Sequence, residues 1–82
     1  MRVTVLAFAN VRELMGAASQ SLELPGTSAT VGAAWDVLAG AVPSLRALEG
    51  STRLAVNGQL VERSAPLGEG DELAIMPPFG GG

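Results

Sequence analysis

"TVGAAWDVLAGAVP", Thr30 to Pro43, is the stretch with clear helical periodicity. Its apolar residues Val31, Ala34, Trp35, Leu38 and Val42 fall at i, i+3, i+4, i+7 and i+11, a single stripe on one side of a helix. Thr30 is a suitable N-cap, and Pro43 ends the helix. Gly32 and Gly40 weaken the assignment, each by about 1 kcal/mol against alanine. Trp35 is read as the core anchor of the stripe rather than as a ligand-stacking residue. Leu45 and Leu48 pack the connection that follows.

Outward from this helix, the chain reads as strands. "RVTVLAFA" (2–9) alternates, with Val3, Val5 and Ala7 on one face and Thr4, Leu6 and Phe8 on the other. "NVRELMG" (10–16) makes one helical turn stopped at Gly16, and "SQSLELPG" (19–26) is a short strand ended by Pro25-Gly26. Downstream, "RLAVNGQLV" (53–61) is a hairpin, because Asn57-Gly58 suits the positive φ angles of a two-residue turn. After the turn-rich "APLGEGD" (65–71), "ELAIM" (72–76) is a last strand, with Leu73 and Ile75 on one face and Ala74 and Met76 on the other. Pro77-Pro78 stops it. The expected order is strand, strand, helix, strand, strand, strand, with no internal repeat. One helix on one face of a mixed sheet of about five strands is an α+β architecture.

The second face of that sheet is unexpectedly apolar. If Val3, Val5, Leu73 and Ile75 pack on the helix, then Leu6, Phe8 and Met76 point away from it, and similar parity sends Leu60 with them. No second helix covers them, and apolar residues gathered on an open face mark a binding surface.

Composition narrows the chemistry. Eighty-two residues fit one small domain that buries a little over ~60% of its unfolded surface. Apolar residues make up 48% of the chain, which argues against disorder, and no apolar run approaches a membrane span. The N-terminal stretch alternates with polar residues and lacks a cleavage pattern, so no signal peptide is expected, and the location expected is cytoplasmic. With no cysteine and no histidine, neither a disulfide framework nor a thiolate or imidazole metal site can be built. Serine lacks a histidine or lysine to activate it. Five arginines, eight acids and a net charge of −3 make nucleic acid a poor partner and a basic protein surface a better one. The absence of lysine fits a GC-rich genome.

The chain closes on "PPFGGG" (77–82), glycines that lose most freedom when ordered. "FANVRELMG", "AVNGQLV", "LGEGDELAIMPP" and this ending, taken together, resemble the family of small, sulfur-carrying subunits of molybdopterin synthase. The resemblance runs from Met1 to Gly82. Its most specific parts are Phe8-Ala9-x-x-Arg12-Glu13-x-x-Gly16, and Gly70-Asp71-Glu72 followed by Pro77-Pro78 and the glycines. It implies a β-grasp, ubiquitin-like domain over 1–78 and a tail over 79–82. It also implies a cycle in which an activating enzyme uses ATP to adenylate the carboxylate of Gly82, which then becomes a thiocarboxylate. The carrier would bind no cofactor or metal itself, would do no catalysis alone, and would insert its tail into the large synthase subunit. On this reading the tail is Phe79, Gly80, Gly81 and Gly82, reaching at most about 13–14 Å, and Gly82 carries the sulfur. Phe8, Arg12, Leu60 and Met76 are the expected partner-binding residues. Arg12 and Glu13 are otherwise a solvated pair on a surface turn, and Asp71 and Glu72 either keep a turn soluble or steer a basic partner.

Phe79 and Gly80 depart from the small aliphatic or β-branched residue and small residue that the resemblance leads one to expect before the diglycine. A sister carrier for thiamine, cysteine or tRNA thiolation keeps the fold and the Gly82 chemistry but changes the acceptor. The long helix-to-hairpin segment and "FANVRE" favour molybdopterin over thiamine. A ubiquitin-like modifier joining Gly82 to target lysines uses the same activated terminus. A plain interaction domain, by contrast, would be indifferent to losing its glycines.

Overall fold

The computed structural model describes residues 1–77. The expected tail, Phe79 to Gly82, and Pro78 before it lie outside the described residues. Strand alternation at the start of the chain produces β1 (Arg2–Ala7), and the closing "ELAIM" produces β7 (Glu72–Met76). The two lie side by side in parallel, Val5 beside Leu73 and Ala7 beside Ile75. Antiparallel neighbours flank them: β2 (Ser19–Glu23) on the outside of β1, then β4 (Arg53–Val56) against β7 and β5 (Gln59–Val61) against β4. The resulting mixed sheet has the order β2-β1-β7-β4-β5, with the expected five strands and a β-grasp arrangement.

The Thr30–Pro43 stretch folds as α2 (Val31–Ala41). Thr30 caps it, its hydroxyl oxygen accepting from the Ala33 N–H at 3.1 Å. Its stripe of Val31, Ala34, Trp35, Leu38 and Ala39 is buried against the inner face of the sheet, where Val3, Val5, Ala7, Leu54, Leu73 and Ile75 are buried in turn. Val42, expected on the stripe, is instead the C-cap residue and only half-buried, because the chain turns there into a 3-10 helix over Pro43–Leu48. Leu45 from that connection is fully buried, and Leu48 packs beside the core. Truncating a core side chain such as Leu73 or Ile75 to alanine is expected to cost about 2–5 kcal/mol.

Three elements extend the sequence reading. The single turn expected after β1 is a seven-residue helix, α1 (Ala9–Met15), which buries Val11 and ends at Gly16 in the left-handed conformation, φ 79°. A two-stranded ladder joins β3 (Ser28–Thr30) to β6 (Pro66–Gly68). It is continued by Val31 and Gly32, whose N–H groups donate to Ala65 and Arg63 carbonyls at 2.9 and 2.8 Å. This second ladder fixes the start of α2 to the loop between β5 and β7. The Asn57-Gly58 turn behaves as its sequence demands, with φ of 50° and 88°.

Candidate functional site

The outer face of the sheet carries an apolar trough built by register. Leu6 stands beside Ala74, Ala74 beside Ala55, and Ala55 beside Leu60, one row across four strands. Large side chains close the row at both ends and two alanines floor it. Together with Phe8 and Met76 at one rim and Glu72 and Gly58 at the other, they enclose a concavity of about 400 Å³. Its lining is apolar except at Glu72. Four large hydrophobic residues are exposed among the described residues, and two of them, Phe8 at 46% and Leu60 at 58%, belong to this lining. Such an accumulation is characteristic of a surface that a partner covers.

Phe8, Leu60 and Met76, expected from parity to share a face, are brought together here. Arg12, expected to join them, is exposed on α1 and does not line the trough. Gly82 and the rest of the expected tail lie outside the described residues. The alanine floor was implicit in strand parity but carried no chemical signal of its own, because two alanines become a feature only once larger residues stand beside them.

The rim at Phe8 is held by an unusual backbone. The Phe8 N–H extends the β1–β7 ladder by donating to the Ile75 carbonyl at 3.3 Å. The next residue, Ala9, takes φ 50°, which costs a residue with a Cβ about 1–2 kcal/mol. The turn this creates lets the Phe8 carbonyl accept from the N–H groups of Val11 and Arg12 at 3.1 and 3.3 Å, starting α1 directly behind the exposed ring. Strain of this kind persists only where its surroundings enforce it. Its effect here is to end the strand while leaving Phe8 on the outer face.

A polar clasp holds the opposite rim. The Asn57 side-chain amide donates to Asp71 Oδ1 at 3.1 Å, while its Oδ1 accepts from the Glu72 N–H at 3.0 Å. Asp71 Oδ2 accepts from the Gly68 N–H at 2.8 Å. The hydrogen bond from Gly68, then that from Asn57, holds the Asp71 carboxyl below its ordinary range. Asp71 therefore ties the β4–β5 turn to the start of β7, a role the sequence reading did not give it. Glu72 is the acidic group that faces the trough.

On the other side of the molecule, the buried Trp35 donates its indole N–H to Glu49 Oε1 at 2.8 Å, and Arg46 donates to the same oxygen at 2.9 Å. The Trp35 bond, then that of Arg46, lowers the Glu49 pKa. Trp35 is thus the anchor expected of it, not a ligand-stacking surface. A hollow of about 240 Å³ lies at the end of the β4–β5 ladder, but Arg53, Glu62 and Arg63 give it mixed charge. Among the described residues, no group of three or more acidic side chains is placed to hold a metal ion, and histidine and cysteine are absent from the chain. None of the described helices is long and apolar enough to cross a membrane. What this geometry offers is an open apolar concavity, with the last described strand, β7, ending at its rim.

A family model described as the ThiS family matches residues 5–82. The chain is 38% identical over 82 residues to the molybdopterin synthase sulfur carrier subunit of Arabidopsis thaliana, covering 100% of this chain and 84% of that protein. It is likewise 38% identical over 82 residues to the protein of the same name from Escherichia coli (strain K12), covering 98% and 99% of the two. The crystal structure of SAMP1, small archaeal modifier protein 1, from Haloferax volcanii superposes with a TM-score of 0.84 at 31% identity, covering 100% of both chains.

Proposed function

The chain belongs to the ThiS family, and from that premise we infer that it is a sulfur carrier, the small subunit of a molybdopterin synthase. The observation that carries this reading is the apolar trough of Leu6, Phe8, Ala55, Leu60, Ala74 and Met76 at the end of β7, on a chain similar over its full length to sulfur carrier subunits. A carrier needs a body that docks and a terminus that is delivered, and the trough lies at the end of the last described strand.

In this cycle a separate activating enzyme uses ATP to join AMP to the Gly82 carboxylate, releasing pyrophosphate. Sulfur at the oxidation level of sulfide then attacks the acyl carbon and displaces AMP, leaving the thiocarboxylate with no change of oxidation state. The body over 1–78 then docks on the large synthase subunit through Phe8, Leu60 and Met76, and Arg12 contributes from α1, outside the trough. The tail, Phe79 to Gly82, enters the acceptor site, where the glycines fit a narrow channel because they lack Cβ atoms. Pro77-Pro78 stiffens the exit and lowers the ordering cost of docking. The catalytic groups for transfer belong to the partner, and the work takes place in the cytoplasm. This chain holds no cofactor, engages neither nucleic acid nor membrane, and supplies sulfur and position.

A second reading is favoured by the likeness to small archaeal modifier protein 1: the same activated Gly82 would form isopeptide bonds with lysines of target proteins. Covalent adducts in extracts of the native host separate it from the carrier reading.

Deleting Gly82 tests the carrier assignment. Melting should stay unchanged, because a terminal residue beyond the last strand adds little to packing, while thiocarboxylate formation by the activating enzyme should be lost. Normal sulfuration of the truncated chain, with Gly81 as its new terminus, would show that Gly82 is not the required carrier.

A further inference from the structure

Glu72 is the charged residue in the lining of the trough. Both of its backbone polar groups are held: its N–H donates to Asn57 Oδ1 at 3.0 Å, and its carbonyl accepts from the Asn57 N–H at 2.9 Å. Its side chain, by contrast, is exposed and forms no ion pair or hydrogen bond with another described residue. The neighbouring acid, Asp71, already has its two carboxylate oxygens engaged by Asn57 and Gly68. The arginines stand elsewhere. Arg2 pairs with Glu23, Arg46 and Arg63 gather at Glu49, and Arg12 lies on α1 outside the trough. Arg53 is opposite Met76, four residues along β7 from Glu72 and so about 13 Å away. Water satisfies the Glu72 carboxylate in the free chain. A partner that fills the trough displaces that water, and a carboxylate buried without a counter-charge is costly.

We propose that Glu72 selects the occupant of the trough: the partner segment that fills it is apolar along most of its length and carries an arginine or lysine at the end that meets Glu72. The proposal rests on the reading of the trough as the docking face for the large synthase subunit, and it assigns the cation to that subunit. A segment that is apolar throughout would leave Glu72 dry and unpaired. A segment laid in the reverse direction would do the same, because its cation would then stand at the Phe8 and Met76 end. Glu72 thus sets both the chemistry and the direction of docking, by penalising the wrong choice as well as by attracting the right one. Asn57 is the positioning residue, since its two bonds to the Glu72 backbone keep the carboxylate within one side-chain length of the rim.

Calorimetric titration of the large synthase subunit with full-length variants of this chain is the test. Glu72→Gln removes the charge at nearly constant shape and should weaken binding about tenfold or more. Glu72→Lys should weaken it further, because two cations would then meet. Asp36→Asn makes the same change in net charge on the exposed side of α2, across the sheet from the trough, and should leave affinity unchanged. Glu72→Gln should melt with the wild type, since its carboxylate holds no described partner. Wild-type affinity in Glu72→Gln would overturn the proposal. So would Glu72→Lys binding no more weakly than Glu72→Gln. If Phe8→Glu and Met76→Glu lose affinity in that event, the docking reading survives without the cation, and if they too bind normally, both fall.

Discussion

At the scale of single residues, two solvent-accessible acids of this chain take structural hydrogen bonds. Asp71 closes the Asn57 clasp and Glu49 receives the Trp35 indole, and both have pKa values lowered by those bonds. A carboxylate whose folded pKa is depressed contributes stability above its unfolded value, lost as the pH falls through the folded one. For Asp71 the loss begins near its ordinary value of 3.8 and is complete below the depressed one. Urea unfolding from pH 5 to pH 2 should therefore show the wild-type chain above Asp71→Ala at the upper end, with the gap closing toward the lower end. The gap should be modest, since the group is exposed to solvent. A gap that stays constant with pH would mean that ionisation of Asp71 does not hold the clasp.

At the scale of elements, the two glycines of α2 have opposite surroundings despite similar places in the sequence. A Cβ at Gly40 would meet nothing within 4 Å, whereas one at Gly32 would lie 3.3 Å from the Arg63 carbonyl oxygen. Gly40→Ala should therefore raise stability by about 0.5–1 kcal/mol, and Gly32→Ala should gain clearly less, because the carbonyl that crowds it also accepts the Gly32 N–H. Equal gains in denaturant unfolding would contradict this. The comparison also marks what the sequence could reveal. The helix stripe as far as Leu38, the Asn57-Gly58 turn and the two-faced alternation of β1 and β7 follow from local rules and are present. The β3–β6 ladder was not legible, because three-residue strands carry too little periodicity and their pairing joins Ser28–Thr30 to residues some forty positions away. The second turn of α1 was hidden by its start, where Ala9 occupies a conformation that alanine disfavours. Of the candidate site, the apolar rim of Phe8, Leu60 and Met76 was legible from parity. The Asp71 clasp was not, because an acid in a turn has no pattern that distinguishes solvation from bonding.

At the scale of the whole molecule, the sheet uses its two faces for two purposes. The inner face buries α2 and holds the fold, while the outer face leaves an apolar trough beside the last described residues. Charge placed on that outer face should separate binding from folding. Phe8→Glu and Met76→Glu should each weaken binding to the large synthase subunit by about 2 kcal/mol or more, while the exposed Phe8 site should change free-chain stability by only about 0.5 kcal/mol. Calorimetric affinities set beside melting temperatures would check this. Unchanged affinity in both variants would remove the trough from the interface, and a collapse of melting would return these residues to the core. We propose that the chain carries sulfur on Gly82, and the intact mass of the protein purified from its native host tests this most directly. A population heavier by the replacement of one oxygen by sulfur, with the difference located on Gly82 by fragmentation, is the expected result. A chain found only with an ordinary carboxylate, under conditions where its host is making molybdopterin, would contradict it.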